Sequence, residues 1–323
     1  MNGPARVVFL GSGPFAVPVA DAVASHPSAE LVAVVTAPPR RQGRGRLERA
    51  TPVGEWAQAR GLSILSPLRL RQPESVAAIA VLAPDLLVLA DYGQIVPAEI
   101  LALPPRGALN LHPSLLPRHR GAAPVQAAIA AGDEQTGVSL MLMDVGLDTG
   151  PIVAQREVQL SGHETAPELE ARLAEAGAQL LDEMLEPWLL GRVEPVPQRV
   201  EGATLTRPLR REDGRLDPSQ RAEVLERHVR AYQPWPGSFL ETDGDRMRVW
   251  RAAPVASVER GAATPGALMP LLDRPGGAGL ALVTADGLLE LLEVQPSGGR
   301  RMSGAELLRG RPSLASGRIA AAP

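Results

Sequence analysis

The chain contains no cysteine, which excludes disulfides, cysteine-bound zinc and thiol nucleophiles. Lysine is absent too, since all 33 basic residues are arginine. The protein therefore offers no side-chain amine for Schiff-base chemistry, and its cations stay charged at every physiological pH. No apolar run approaches the roughly 20 residues that span a bilayer. The apolar stretch behind Arg6 is broken by Pro14, Pro18 and Asp21. It reads as strand, turn and helix start, not as a secretion signal. A soluble, cytoplasmic protein is expected.

What is present is ordinary in bulk and uneven in distribution. The 323 residues carry a formal net charge of −3, which argues against binding to nucleic acid by bulk charge alone. Residues 1–206 hold 16 Arg against 22 acids, or −6, and residues 207–323 hold 17 Arg against 14 acids, or +3. The back part is thus open to an anionic partner. Short apolar runs at Arg6–Leu10, Leu31–Thr36, Leu86–Ala90 and Ala108–His112 alternate with helical patterns at Phe15–Ala24, Pro52–Arg60, Pro73–Leu82 and Ala123–Ala131. Strand patterns at Gly137–Met143 and Pro151–Val158 then lead into a long amphipathic helix, Pro167–Leu190. This order predicts an α/β, Rossmann-like domain over 1–190, its sheet mostly parallel and covered on both faces. Residues 191–206, rich in turn formers, read as a linker. A helix at Ser219–Tyr232 and short strands from Ser238 onward predict a smaller C-terminal β-barrel, OB-like, over 207–323.

Two stretches invite a chemical reading. Gly11-Ser12-Gly13-Pro14-Phe15-Ala16 follows a strand and opens a helix, as a dinucleotide-binding turn does. No acid ends the second strand, however, where Thr36-Ala37-Pro38 stands. An NADP enzyme using Arg40 and Arg41 stays open beside a purely structural turn. The second stretch, GALNLHPSLLPRHRGAAP over 107–124, places Asn110 and His112 two apart at a strand end, so both project to one side. Pro113 stops the strand at the sheet edge where open α/β folds build their sites. Ser114-Leu115-Leu116-Pro117 makes an apolar turn suited to a flat ligand, and Asp148 lies in a glycine-bracketed loop. An amide, an imidazole and a carboxylate suffice for acyl transfer without a protein nucleophile.

The pattern N-x-H-x-S-L-L-P-x-x-R-G-x-x-P followed by D-V-G-L-D-T-G resembles the signature of the 10-formyltetrahydrofolate-dependent formyltransferases. That resemblance implies catalytic roles for Asn110, His112 and Asp148, a folate-contacting turn at Ser114, Leu115, Leu116 and Pro117, and 10-formyltetrahydrofolate as co-substrate, with no metal. The spelling of the Asp148 loop, and Pro234-Trp235-Pro236 in the C-terminal part, are most similar to members that formylate methionine on initiator tRNA for translation initiation. In those members a basic loop enters the acceptor arm; the match falls on Gly43, Arg44, Gly45 and Arg46. Here the loop departs from the family pattern, with Pro39 for an Asp and Arg46-Leu47 for two Lys. The resemblance implies a transferase, acting as a monomer, that takes tRNA and folate and uses the C-terminal barrel to bind tRNA. Formylation of a UDP-amino sugar is the alternative, followed by a non-catalytic folate binder.

Overall fold

In the computed structural model the residues described are 3–42, 47–242, 245–255, 263–272, 274 and 277–319. They form two compact units. The first comprises 1–124, 134–160 and 168–207, and the second 125–133, 161–167 and 208–323.

The first unit is built on seven strands: β1 (Ala5–Gly11), β2 (Ala29–Val35), β3 (Ile64–Leu65), β4 (Leu86–Ala90), β5 (Ala108–His112), β6 (Gln135–Leu142) and β7 (Ile152–Gln159). Their order is β7-β6-β5-β4-β1-β2-β3. The run from β3 to β5 is parallel, while β6 and β7 are antiparallel. All five residues of β4 are buried, the continuous apolar run demanded of a strand covered on both faces. Helices α1 (Ala16–Ser25), α2 (Pro52–Ala59) and α3 (Pro73–Ala80) connect the parallel strands. The first two parallel connections run outward from β1 to one side, and the chain then returns to place β4 on the other. That reversal makes the carboxyl ends of β1 and β4 the topological switch point, where such sheets open a crevice.

The second unit contains an antiparallel sheet of β8 (Ser238–Thr242), β9 (Asp245–Val255), β10 (Leu268–Leu271), β11 (Gly279–Val283) and β12 (Leu288–Pro296), in the order β8-β9-β12-β11-β10. Near its C-terminal end the chain bridges Thr242 to Ile319 and Ala267 to Arg318, so both sheet edges are joined through one segment. One face packs an aliphatic core of Leu240, Val249, Leu280, Leu289 and Val294 with the helix Ala222–Ala231.

Several features depart from the sequence reading. The strand Leu268–Leu271 and the helix Gly304–Gly310 had no expected counterpart. More consequentially, residues 191–206 are not a free linker. Leu205–Thr206 pairs in parallel with Arg120–Gly121, and Val196 bridges Ile152. The stretch belongs to the first unit through residue 207, held by backbone hydrogen bonds that its proline-rich composition does not advertise.

Candidate active site

The glycine turn after β1 is already filled from within. A Cβ at Gly13 would stand 1.7 Å from the Asp91 Oδ2, so glycine is required there to make room for a carboxyl group. Asp91 follows β4 in a left-handed conformation, φ 45°, and its carbonyl accepts the Ser12 and Gly13 N–H groups at 3.0 and 3.4 Å. Gly11 serves packing, since a Cβ would meet Ala16 and the Ala90 carbonyl at 2.8 Å. A carboxyl at the switch point opposes the pyrophosphate that a dinucleotide would place at a helix start. This removes the NADP reading. Ser12 turns instead to Thr36, whose hydroxyl also meets Thr51 at 2.6 Å.

Although Asp91 keeps contact with solvent, its carboxyl is pushed up from 3.8 to about 7, first by desolvation and then by the Glu170 carboxylate. Burial also raises the Glu170 carboxyl. Between the two Asp91 values the folded chain holds a proton that the unfolded chain has lost. Stability therefore declines as pH rises through that window. Asp91→Asn should raise the melting temperature above pH 7 and leave it nearly unchanged at pH 4. Melts at both pH values check this, and an equal shift at both would mean the carboxyl is not strained by ionisation.

One strand away, β5 delivers Asn110 and His112. His112 is 5% exposed, and its Nε2 lies 2.9 Å from the His119 carbonyl oxygen. A carbonyl only accepts, so Nε2 carries the proton and Nδ1 presents a lone pair when the ring is neutral. That nitrogen faces the Asp148 Oδ2 at 3.7 Å, too far for a hydrogen bond and near enough to attract an imidazolium. Burial pulls the His112 pKa below its ordinary value, while Asp148 and the His119 carbonyl oppose the fall. The ring thus rests neutral, as a base. The group that holds the ring is a main-chain carbonyl. Asn110 makes no side-chain hydrogen bond among the described residues, and its amide is left for a ligand.

Around this pair the polar groups are held tightly. Asp148 sits at φ 51° and accepts the Gly121 N–H at 2.7 Å. Gly150 lies so close to β6 that a Cβ would stand 1.8 Å from the Leu142 carbonyl. The turn after β5 is fixed by Ser139, whose hydroxyl accepts from the Leu116 N–H at 3.0 Å and donates to the Ser114 carbonyl at 2.7 Å. Ser114 is fully buried, with its hydroxyl on the Arg118 carbonyl, and Leu116 is 4% exposed. Of the four turn residues, Leu115 and Pro117 keep surface for a ligand; Ser114 and Leu116 shape the main chain. Gly43, Arg44, Gly45 and Arg46 lie outside the described residues.

Sequence reasoning missed Gln198. Its Nε2 donates to the carbonyls of Asp148 and Gly150 at 2.8 and 2.7 Å, while its Oε1 accepts from Arg120 at 2.7 Å. Thr204 takes the His119 N–H at 2.8 Å. These residues clamp both sides of the His112–Asp148 pair. Gln198→Ala should lower kcat roughly ten-fold, because small displacements of reacting groups are costly, with the folate Kd changed less. Kinetics and folate binding together check this; a loss confined to binding would deny the positioning role.

The sheet edge thus brings together a buried imidazole and an unengaged amide, groups that can serve acyl transfer without a protein nucleophile. The formyl transferase model matches residues 5–185, and the model for the formyl transferase C-terminal domain matches 208–312. The methionyl-tRNA formyltransferase of Thermus thermophilus is 45% identical over 94% of this chain and 96% of its own length. That of Myxococcus xanthus is 42% identical over 94% and 95%. Among solved structures, HypX from Aquifex aeolicus in complex with tetrahydrofolic acid superposes with a TM-score of 0.60 at 19% identity. It shares the fold over 95% of this chain, which spans about half, 47%, of HypX. The chain belongs to the formyl transferase family.

Proposed function

We propose that the protein transfers the formyl group of 10-formyltetrahydrofolate to the α-amino group of methionine esterified to initiator tRNA, supplying formylated initiator for translation. Near-full-length similarity to methionyl-tRNA formyltransferases supports the substrate. The observation that carries the chemistry is the fixed tautomer of His112, with Nδ1 free and facing Asp148.

The roles follow from charge. A neutral amine attacks the formyl carbon, and the carbonyl oxygen becomes an oxyanion. The Asn110 amide, lacking any protein partner among the described residues, donates to that oxygen. His112 Nδ1 takes the proton that the amine nitrogen sheds, and the imidazolium formed is stabilised by Asp148 at 3.7 Å. The same proton then passes to the departing folate nitrogen, which leaves His112 neutral again. Leu115 and Pro117 offer the apolar surface beside β5 on which the folate would lie.

The deciding experiment offers charged initiator tRNA and a UDP-amino sugar to one sample with 10-formyltetrahydrofolate. Formyl-methionyl-tRNA should dominate. Preferential formylation of the sugar nucleotide would overturn the substrate, and transfer to neither would overturn the activity.

A further inference from the structure

When neutral, the His112 imidazole has two places for its single proton, and they compete. Nε2 can donate to the His119 carbonyl at 2.9 Å. Nδ1 can donate instead to the Asp148 carboxylate, whose Oδ2 stands 3.7 Å away. On chemistry alone the carboxylate should win, because a hydrogen bond to a charged acceptor is roughly twice as strong as one to a neutral carbonyl. A proton on Nδ1 would leave that nitrogen without a lone pair, and the ring could not take a proton there. Geometry has to overrule the preference. It brings the carbonyl within hydrogen-bond range and keeps the carboxylate beyond it.

Both settings are made in the short segment that follows Pro117. His119 adopts φ 58°, a left-handed conformation uncommon outside glycine. Two residues on, the Gly121 N–H holds the Asp148 carboxylate at 2.7 Å. Thr204 ties this segment down at three points. It donates its N–H to the Pro117 carbonyl at 3.3 Å, and its own carbonyl accepts the Arg120 N–H at 2.9 Å. Its hydroxyl accepts the His119 N–H at 2.8 Å, across 85 residues of sequence. Leu205 and Thr206 then pair with Arg120 and Gly121, which carries the hold to the residue that grips Asp148.

We propose that Thr204 is a positioning residue for formyl transfer, aiming the His119 carbonyl at His112 and so keeping the catalytic imidazole in the tautomer whose Nδ1 is free. The inference rests on the formyl-transfer reading above and adds to it a residue that acts through the main chain. Thr204 sets both peptide planes that flank His119, the first through its hydroxyl and the second through its carbonyl. In the second, a trans peptide points its C=O opposite to its N–H. An Arg120 N–H directed at Thr204 therefore turns the His119 carbonyl the other way, onto Nε2. Without the hydroxyl, the His119 N–H loses its acceptor, and rotation of that peptide relieves the loss. The carbonyl then slips from the ring, and the proton settles on Nδ1 beside Asp148.

The test uses the full chain, with 10-formyltetrahydrofolate and charged initiator tRNA both saturating. Thr204→Val keeps the shape, removes the acceptor and leaves no room for a water in its place. It should lower kcat roughly ten-fold with KM for either substrate little changed, and Thr204→Ser should restore the rate. Nitrogen NMR of ring-labelled histidine, at a pH where the ring is neutral, supplies the second readout, with His112→Gln identifying the signals. The His112 proton should lie on Nε2 in the wild type and in Thr204→Ser, and on Nδ1 in Thr204→Val. A folded Thr204→Val that keeps the Nε2 proton would overturn the proposal, whatever its rate. His119→Gly decides the matter if Thr204→Val does not fold. Glycine accepts φ 58° and retains both the N–H and the carbonyl, so the proton should stay on Nε2. Its transfer to Nδ1 there would assign the tautomer to the His119 side chain and overturn the main-chain hold. Failure of the wild type to formylate the tRNA would reject the function itself, a separate result, because the tautomer is read without substrate.

Discussion

Replacing His112 with Gln, or Asn110 with Ala, should reduce kcat by ~10²–10³ while folate affinity falls far less. The asymmetry arises because both groups act on charge that exists only during transfer. His112 meets the substrate with a lone pair, since its other nitrogen is committed to the His119 carbonyl at 2.9 Å. Asp148→Asn should be nearly as damaging, because the imidazolium would then form in a buried place without a counter-charge. A plot of log kcat against pH should show a limb set by an ionisation below the ordinary histidine value, with rate falling toward acid. In Asp148→Asn that limb should move further toward acid, since a raising influence on the ring has been removed. Single-turnover rates with folate held saturating make the measurement. Near-normal turnover in all three variants would reject the site.

The second large effect is acid instability of the C-terminal unit. His228 lies on the helix Ala222–Ala231, edge-on to Tyr232, with Nδ1 3.0 Å from the Ser238 hydroxyl. Burial lowers its pKa from 6.5 to about 4, against smaller raising contributions from Asp213. Between those values the unfolded chain binds a proton that the folded chain refuses, so stability falls as pH drops through the window. The full cost, about 2–3 kcal/mol after allowing for partial exposure, is reached near pH 4 and is absent above pH 6.5. Urea unfolding of the wild type at pH 7 and 4.5 should register the loss, and His228→Gln should lose less over the same interval. Parallel losses in both proteins would assign the acid sensitivity to other groups.

Much of the first unit was legible because its strands are buried runs that need no partner to be recognised. Leu86–Ala90 and Ala108–His112 were expected at the bounds they have. The strand Ile64–Leu65 has two residues, too few to show a period. Leu268–Leu271 contains Pro270 and stands at the end of the sheet order, where a missing donor is tolerated and the strand signal is weak. The helix Gly304–Gly310 did leave a signal, the Ser303–Glu306 capping box. At the site, the spacing of Asn110 and His112 was visible, as was the glycine-bracketed loop carrying Asp148. The state of the imidazole was not, for it depends on a main-chain carbonyl seven residues onward. Asp91 was passed over although it is an acid directly after an apolar strand. Gln198, Thr204 and Thr206 gave nothing away, since a polar residue in a proline-rich stretch looks alike whether solvated or bonded.

That last stretch also determines where the protein can be divided. The Thr206 hydroxyl donates to the Arg120 carbonyl and accepts the Ala123 N–H, at 2.9 and 3.1 Å. Gly121, at φ 103°, runs so close that a Cβ would lie 2.2 Å from the Thr206 carbonyl. A cut at Gly202, the obvious place on composition, would strip these partners from the loop that supports Asp148 and His112. A recombinant catalytic fragment, or a chimaera that borrows another C-terminal module, has to retain the chain through Arg207. The seam that composition suggests and the seam of the working part are different places, and exchange of modules between relatives should succeed only at the second.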